Sequence, residues 1–159
     1  MSSNRARIIG IDPGNTGAIA YMDAEELIIW DMPTFQIEKN GKVRHRIDSQ
    51  GIYNLLKDMK VDQVYIELVN ALPGNGAAHS FTFGFGCGII EGVVTACCLP
   101  FTMVSPMKWK AALTCPKDKD GARHRASQLM PLYSDNWKLK KHDGRAEAAL
   151  IAYYGRNDF

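Results

Sequence analysis

The sequence has little of what marks secreted, zinc-binding or membrane proteins. It holds four cysteines, Cys87, Cys97, Cys98 and Cys115, and none of them forms a Cys-x-x-Cys pair, which argues against a zinc site. No unbroken apolar run approaches the roughly 20 residues of a membrane span, and the polar N-terminus does not resemble a signal peptide. These absences predict a cytoplasmic protein with reduced, buried thiols and no membrane partner.

Repeats and low-complexity tracts are also absent, and the composition is that of an ordinary globular protein. Hydrophobic residues make up 46% of the chain and charged residues 23%. A length of 159 residues is most simply one domain, spanning residues 1–159, with a core of its own.

The net charge of +2 conceals an uneven distribution of charge. Residues 106–146 hold ten Lys and Arg against four Asp, whereas the rest of the chain holds nine Lys and Arg against thirteen Asp and Glu. A basic segment beside an acidic remainder is typical of a protein that binds a polyanion. A solvated charged face explains the same pattern without any function.

Apolar patterns and turn residues predict an α/β protein. Three short strands joined by turns indicate an antiparallel meander, and later segments alternate between helix and strand. The prediction is a mixed five-stranded sheet, the meander plus parallel strands, flanked by helices. The basic stretch 38–46 is predicted as a loop or hairpin, and 68–78 as a mobile loop. Strands are predicted at about 7–11, 18–22, 27–32, 63–67 and 101–104, and helices at about 48–59, 79–98, 105–113, 120–130 and 142–154.

The predicted helix 79–98 is apolar on most sides, which indicates that it is buried. Gly84, Gly88 and Gly92 recur every four residues along one stripe. Glycine costs a helix about 1 kcal/mol, so this stripe indicates close backbone packing against either the sheet or a partner chain. Three aromatic residues of this helix are candidates for stacking on nucleic-acid bases, with core packing as the favoured alternative: Phe81, Phe83 and Phe85.

Two acids stand at the ends of apolar strand patterns. Asp12 closes the run Ile8-Ile9-Gly10-Ile11 and is followed at once by Pro13-Gly14, and Glu67 closes Val64-Tyr65-Ile66. Burying an unpaired carboxylate costs several kcal/mol. Each acid therefore needs a metal, a cation or backbone N–H groups as a partner.

Two further acids lie near the start of the last predicted helix. Asp143 and Glu147 are four residues apart and so share one face, although a solvent-facing pair stabilised by the helix dipole has the same spacing. If the fold brings them to Asp12 and Glu67, the four carboxylates require cations to stay ionised. Mg²⁺ prefers oxygen ligands, and two such ions promote phosphodiester hydrolysis.

Three segments resemble the motifs of RuvC-type Holliday junction resolvases, which belong to the RNase H-like superfamily. The matching segments follow the family's order at suitable spacing and cover most of the chain. The compact length and the Leu72-Pro73-Gly74 loop are most similar to phage or prophage members, which implies the cytoplasm of a bacterium or a phage-infected host. The segments are Ile9-Gly10-Ile11-Asp12-Pro13-Gly14, Tyr65-Ile66-Glu67 and Asp143-Gly144-Arg145-Ala146-Glu147-Ala148.

The resemblance implies an RNase H-like fold and a metal-dependent endonuclease of DNA recombination and repair. It implies that Asp12, Glu67, Asp143 and Glu147 bind two Mg²⁺ per active site, with Mn²⁺ as a substitute. Hydrolysis would leave 5′-phosphate and 3′-hydroxyl ends. A homodimer would place two such sites on a four-way junction, and the helix that carries the three glycines is the candidate interface.

The basic segment also matches the family. Ser105-Pro106-x-x-Trp109-Lys110, followed by Lys119, resembles the family's basic segment. By this resemblance Lys110 and Lys119 would stabilise charge on the scissile phosphate. His142 is a candidate extra ligand or proton donor, with an exposed capping role as the alternative. The predicted DNA-binding residues are Asn70, Lys108, Lys110, Lys117, Lys119, Arg123, Arg125, Lys140, Lys141 and Arg145.

Two departures from the family pattern and three alternative functions accompany this prediction. The family usually spaces its last two acids by three residues, not four, and often carries an aromatic wedge shortly after the second acid, where this chain has Leu68-Val69-Asn70-Ala71-Leu72. The alternatives are a related nuclease acting on flaps or RNA–DNA hybrids, a non-catalytic junction-binding module, and an ATPase of the actin and sugar-kinase type. The last resembles Asp12-Pro13-Gly14-Asn15-Thr16-Gly17 but requires two such domains.

Overall fold

The computed structural model describes residues 6–70 and 73–157. A mixed five-stranded sheet forms its centre, with strand order β3-β2-β1-β6-β7. The pairs β1–β2 and β2–β3 are antiparallel, and the pairs β1–β6 and β6–β7 are parallel. These strands are β1 (Ile8–Asp12), β2 (Ala18–Met22), β3 (Leu27–Asp31), β6 (Gln63–Glu67) and β7 (Phe101–Val104). The predicted sheet is confirmed.

Two further strands pair only with each other. β4 (Thr34–Lys39) and β5 (Lys42–Ile47) form a separate antiparallel hairpin. Its two-residue turn is Asn40-Gly41, with φ of 54° and 69°, and positive φ at both positions is the signature of the type I′ turn that suits strand twist. Of the two predictions for the basic stretch 38–46, the hairpin is therefore confirmed.

Five α-helices cover the two faces of the sheet. α5 packs on one face together with α3 and α4, and α1 and α2 cover the other face. Successive side chains of β1 point to opposite faces of the sheet. Ile8 packs in the core on the α5 side, while Ile9 and Ile11 pack in the core on the α1 and α2 side. The helices are α1 (Ser49–Leu56), α2 (Ala77–Ala96), α3 (Pro106–Ala112), α4 (Lys119–Leu129) and α5 (Asp143–Arg156).

β1 and α5 pack in close backbone contact. A Cβ atom built on Gly10 would lie 2.4 Å from both the Ala148 carbonyl oxygen and the Ala152 nitrogen. Real Cβ atoms do not approach backbone so closely, so only glycine permits this contact. Small residues on α5 complete it, and Ala146, Ala148, Ala149 and Ala152 are fully buried. The middle of α5 is thereby held against the middle of β1.

The structure corrects the prediction that helix 79–98 is buried. Among its twenty described residues, only Gly86, Ile90 and Val94 are buried. Phe81 is 69% exposed and Phe85 is 49% exposed, so the favoured core packing of these rings is wrong. The reason is that α2 contacts α1 and β5 through one narrow stripe, while most of its apolar surface faces outward.

The length and hydropathy of α2 concern the prediction that the chain has no membrane-spanning segment. With twenty residues and a mean hydropathy of 1.2 over its most apolar window, it is long and apolar enough to cross a membrane by length and composition alone. The sequence prediction concerned an unbroken apolar run, and His79, Ser80, Thr82 and Glu91 interrupt this helix. The same helix buries a stripe against the sheet layer, which is also a property of helices in globular folds.

Smaller differences concern ends, loops and thiols. α1 ends at Leu56 rather than 59, and two short 3₁₀ helices, Pro131–Trp137 and Lys140–His142, precede α5. In the predicted loop 68–78, residues 71 and 72 lie outside the described part of the chain, and α2 already begins at Ala77. All four cysteines are free thiols, as predicted, but Cys98 is exposed rather than buried.

Candidate active site

Three carboxylates meet at one edge of the sheet. Asp12 ends β1 and Glu67 ends β6. The parallel register pairs Ile11 with Ile66, so the two acids follow side by side. Glu147 lies one turn into α5 and lines a cavity of about 400 Å³ together with Asp12. The predicted convergence of Asp12, Glu67 and Glu147 is what the structure shows.

The three charges act strongly on one another. Burial, followed by the charges of Glu147 and Glu67, raises the pKa of Asp12 well above its usual range, and Lys119 and Lys110 oppose that rise. Glu67 is the only charged residue that is buried in the described part of the chain, at 6% exposed. Burial raises the pKa of its carboxyl group as well, with a smaller contribution from Glu147.

Trp109 holds the buried Glu67 in place. Its indole Nε1–H donates a hydrogen bond of 2.9 Å to Glu67 Oε1, and this bond lowers the pKa of Glu67 against the effect of burial. Trp109 itself is completely buried. It reaches the acid because β7 lies beside β6, and Ser105 then caps α3 by accepting a hydrogen bond of 3.2 Å from the Lys108 N–H. Sequence reasoning assigned Trp109 no role of its own.

Two lysines bring positive charge to the carboxylates. Lys110 Nζ lies 3.2 Å from Glu147 Oε1 and 5.1 Å from the centre of the Trp109 ring. Lys119, the first residue of α4, lines the same cavity as Asp12 and Glu147. Both predicted lysines therefore lie at the site, Lys110 in an ion pair and Lys119 exposed at the cavity.

Asp143 and His142 are placed differently from the three converging acids. Asp143 is the first residue of α5, and its Oδ1 lies 3.0 Å from Arg123 Nε in a largely buried pair. His142 lines a neighbouring cavity of about 870 Å³ rather than the one that holds Asp12. Burial, with the charges of Arg145 and Lys141, lowers the pKa of His142. The structure thus places Asp143 with a cation and His142 outside the carboxylate cavity.

The predicted DNA-binding residues divide into two groups. The first group is engaged within the chain. Lys110 pairs with Glu147 at 3.2 Å and Arg145 is bound to both carboxylate oxygens of Asp31 at 2.6 and 2.7 Å. Arg123 pairs with Asp120 and Asp143, and Arg125 donates to the Leu113 carbonyl at 2.7 Å. The second group is exposed, and no ion pair within the described ranges engages it: Asn70, Lys108, Lys117, Lys119, Lys140 and Lys141.

The three carboxylates match a hard divalent cation in donor chemistry but not in their present geometry. Within residues 6–70 and 73–157, no group of three or more His, Cys, Asp or Glu side chains has ready metal-binding geometry. The chemistry nevertheless favours a cation, because three carboxylates supply only oxygen donors and their mutual repulsion and burial raise the pKa of Asp12. A divalent cation between them would relieve that repulsion.

Comparison with known proteins gives matches of structure only. No protein-family model matches the sequence, and neither does any curated protein. T. thermophilus RuvC, in complex with Holliday junction substrate, matches with a TM-score of 0.63 at 14% identity, over 96% of each chain. Another Thermus thermophilus RuvC structure matches at 0.57 and 18% identity, over 95% of this chain and 96% of that one. The chain has the RuvC fold.

A eukaryotic structure shares this fold. The yeast mitochondrial Holliday junction resolvase Ydc2 matches with a TM-score of 0.53 and 15% identity, over 96% of this chain and 78% of that chain. The RNase H-like fold predicted from three short motifs is therefore confirmed, with the similarity covering 95–96% of this chain. At these identities the agreement concerns the fold, and the roles of individual residues rest on the geometry above.

Proposed function

We propose that this protein is a metal-dependent, structure-selective endonuclease that resolves four-way DNA junctions. The observation that carries the proposal is the meeting of Asp12, Glu67 and Glu147 beside Lys110 and Lys119 at one edge of a RuvC-type sheet. Solved structures with this fold include a RuvC in complex with Holliday junction substrate. The phosphodiester bond is the substrate such a site suits, because oxygen ligands and lysines together handle phosphate charge.

In this proposal each residue has a distinct task. Asp12, Glu67 and Glu147 would hold two Mg²⁺, for which Mn²⁺ would substitute, and ions held there would supply Lewis-acid chemistry for phosphodiester hydrolysis. Trp109 keeps the Glu67 carboxylate oriented through its hydrogen bond. Lys119, exposed at the cavity, is placed to meet the scissile phosphate. Cleavage leaves 5′-phosphate and 3′-hydroxyl ends.

Three residues take part in this proposal only after a change of partner. Lys110 pairs with Glu147 and would be released to contact the phosphate if a cation bound that carboxylate. Asp143 pairs with Arg123 and would have to leave it to act as a ligand, which would free Arg123 for DNA. Five exposed lysines of residues 106–146 bind the DNA backbone from the start, because no ion pair within the described ranges holds them: Lys108, Lys117, Lys119, Lys140 and Lys141. Lys138 is also exposed but pairs with Asp135.

The junction proposal predicts a clear order of substrates. In Mg²⁺, the protein is expected to cut synthetic four-way junctions at least tenfold faster than Y-shaped or linear duplexes of the same arm sequences. The physical reason is that a single active site contacts only the phosphate being cut. Selectivity between DNA structures therefore depends on how each substrate positions its strands. Timed gel assays with matched oligonucleotides measure the three rates.

The same assay distinguishes a junction resolvase from two alternative functions. Equal rates on all three DNAs would contradict junction selectivity and favour a less selective nuclease. Binding to the junction without any cutting, in Mg²⁺ and in Mn²⁺, would instead indicate a non-catalytic binding module.

We also propose that two copies associate through α2. Its outward stripe carries the exposed rings Phe81 and Phe85, stacked at 6.2 Å. Gly84, Gly88 and Gly92 on the same helix have no atom within 4 Å of a built Cβ, other than the neighbours that every helical residue has. Their empty surroundings exclude the sheet as the packing partner. A second α2 packed on this stripe would cover the rings and place two active sites in one particle.

The dimer predicts a specific effect of charge on α2. Gly88→Glu is expected to convert a dimer into a monomer in sedimentation velocity, because the new carboxylate would be buried beside its copy. Asn54→Glu, which adds the same charge on the exposed side of α1, is the matched control and should leave the dimer intact. A wild-type monomer at micromolar concentration would rule out this interface.

A further inference from the structure

The β4–β5 hairpin carries a concentrated positive charge that the site described above does not use. Within residues 34–47 it holds Lys39, Lys42, Arg44 and Arg46 against one acid, Glu38. The two strands pair only with each other, so the hairpin stands apart from the central sheet. Its base is fixed by Ile47, which is buried against Gly86 of α2.

The strand register collects the four cations on one face. Directly opposed residues of an antiparallel pair share a face, and the register pairs Lys39 with Lys42, Ile37 with Arg44, and Phe35 with Arg46. Because side chains alternate along a strand, these three pairs lie on the same side of the hairpin. Glu38 pairs with Val43 and lies on the other side.

These cations have no acidic partners. Lys39, Lys42 and Arg44 are exposed, and Arg46 is half-buried with its guanidinium 5.4 Å from the centre of the Phe85 ring. Throughout the described part of the chain, no ion pair involves any of the four. Like charges opposed across a hairpin destabilise it. Binding of a polyanion to this face would therefore relieve the repulsion between the cations.

The hairpin adjoins the carboxylate cavity. Asn15, in the loop that follows Asp12, donates a 2.8 Å hydrogen bond from its side-chain amide to the His45 carbonyl. The cavity of about 870 Å³ is lined by Arg44 and His45 of the hairpin and by Lys141 and His142 near the start of α5. It shares Asn15, Thr16 and Gly17 with the cavity that holds Asp12. A strand leaving the carboxylates through this groove meets the hairpin.

We propose that the β4–β5 hairpin is a second DNA-binding surface, which contacts the phosphate backbone of a duplex arm as it enters the carboxylate cleft. This inference rests on the proposed function, because it assigns to the same DNA substrate a contact outside the segment 106–146. Each lysine or arginine that neutralises a phosphate releases counterions, so the contact has a measurable signature in salt.

The experiment measures junction binding against salt concentration by fluorescence anisotropy, in EDTA so that the DNA stays intact. Removing two phosphate contacts with Lys42→Ala/Arg44→Ala is expected to reduce the slope of log affinity against log salt by about 2, and to weaken binding roughly 10- to 100-fold at low salt. The charge-conserving variant Lys42→Arg/Arg44→Lys should retain the wild-type slope, which shows that charge rather than hairpin folding is measured.

Lys57→Ala/Lys60→Ala is the matched control, since it also removes two exposed positive charges. Lys60 lines a surface pocket with Arg7, at the opposite end of β1 from Asp12, so this pair should leave the slope unchanged. Equal losses in both double variants, or a wild-type slope in the hairpin variant, would overturn the proposal. Parallel cleavage by wild type in Mg²⁺ keeps the hypotheses apart: no cleavage refutes the nuclease, whereas cleavage with an unchanged slope refutes only the hairpin contact.

Discussion

Asparagine at position 12 is expected to abolish cleavage and, at the same time, to stabilise the metal-free protein at neutral pH. Asp12 is the acid whose burial and neighbours Glu147 and Glu67 oppose its ionisation most clearly. Losing a ligand that supports several kcal/mol of transition-state charge stabilisation corresponds to a rate loss of at least about 1000-fold. The neutral amide removes the repulsion without changing the size of the side chain.

The sign of the stability effect follows from proton linkage. The pKa of Asp12 is raised in the folded protein, whereas in the unfolded chain it is about 4. The unfolded state therefore releases its proton first, and stability falls as the pH rises from about 4 through the raised pKa. Without metal, wild type should lose stability across that window, and Asp12→Asn should lose less. Urea unfolding in EDTA at several pH values measures the difference.

Metal provides a second measurement on the same variant. Mg²⁺ at 100 times its dissociation constant should stabilise wild type by about 2.7 kcal/mol, and this gain should shrink or vanish in Asp12→Asn. Asp62→Asn is the control, and its effect on the stability of the metal-free protein should be opposite to that of Asp12→Asn. Arg7 holds the pKa of Asp62 at about 2, so removing the Asp62 charge should destabilise the protein. A full Mg²⁺ stabilisation in Asp12→Asn would contradict the metal site.

Gly10→Ala is expected to destabilise the protein by about 3 kcal/mol or more, at the upper end of overpacking effects. The added methyl group would lie 2.4 Å from two backbone atoms of α5, and backbone cannot move aside as a side-chain end does. α5 must therefore shift away from β1. Since β1 carries Asp12 and α5 carries Glu147, cleavage should fall along with stability. Urea unfolding at 25 °C and the junction assay measure the two effects.

The matched control for this change is Gly92→Ala. A Cβ atom there has open space within 4 Å, apart from the neighbours that every helical residue has. Alanine is favoured over glycine in a helix by about 1 kcal/mol. In the Gly88→Glu background, where the α2 interface is expected not to form, Gly92→Ala should therefore be as stable as its parent or slightly more stable. A Gly10→Ala protein with wild-type stability would show that β1 and α5 are not in backbone contact.

Local patterns were sufficient to predict the sheet and two of its acids. Ile8 to Asp12 and Gln63 to Glu67 are short apolar runs bounded by polar or turn residues, and both strands lie where predicted. Ser105-Pro106 likewise fixed the start of α3, because a serine cap followed by proline is a local signal. The Asn40-Gly41 turn gave an equally local signal for the hairpin, which the prediction left as one of two choices.

Local patterns could not predict contacts between residues that are far apart in the sequence. The bond from Trp109 to Glu67 joins residues 42 positions apart, and nothing near either residue encodes it. The pair of Arg123 with Asp143 depends in the same way on how α4 meets α5. For α2, an apolar sequence indicates that the helix avoids water, but does not say whether the sheet or another molecule covers it. That ambiguity produced the incorrect buried helix.

The order of the acids along the chain has a consequence for synthesis. They stand at positions 12, 67 and 147 of 159, and α5 packs on β1, near the opposite end of the sequence. A nascent chain on the ribosome lacks Glu147 until the central sheet and the four preceding helices have been made. A fragment that stops before α5 lacks one of the three carboxylates. Under the proposed function, the chain is inert toward DNA until α5 has been made and has folded onto β1.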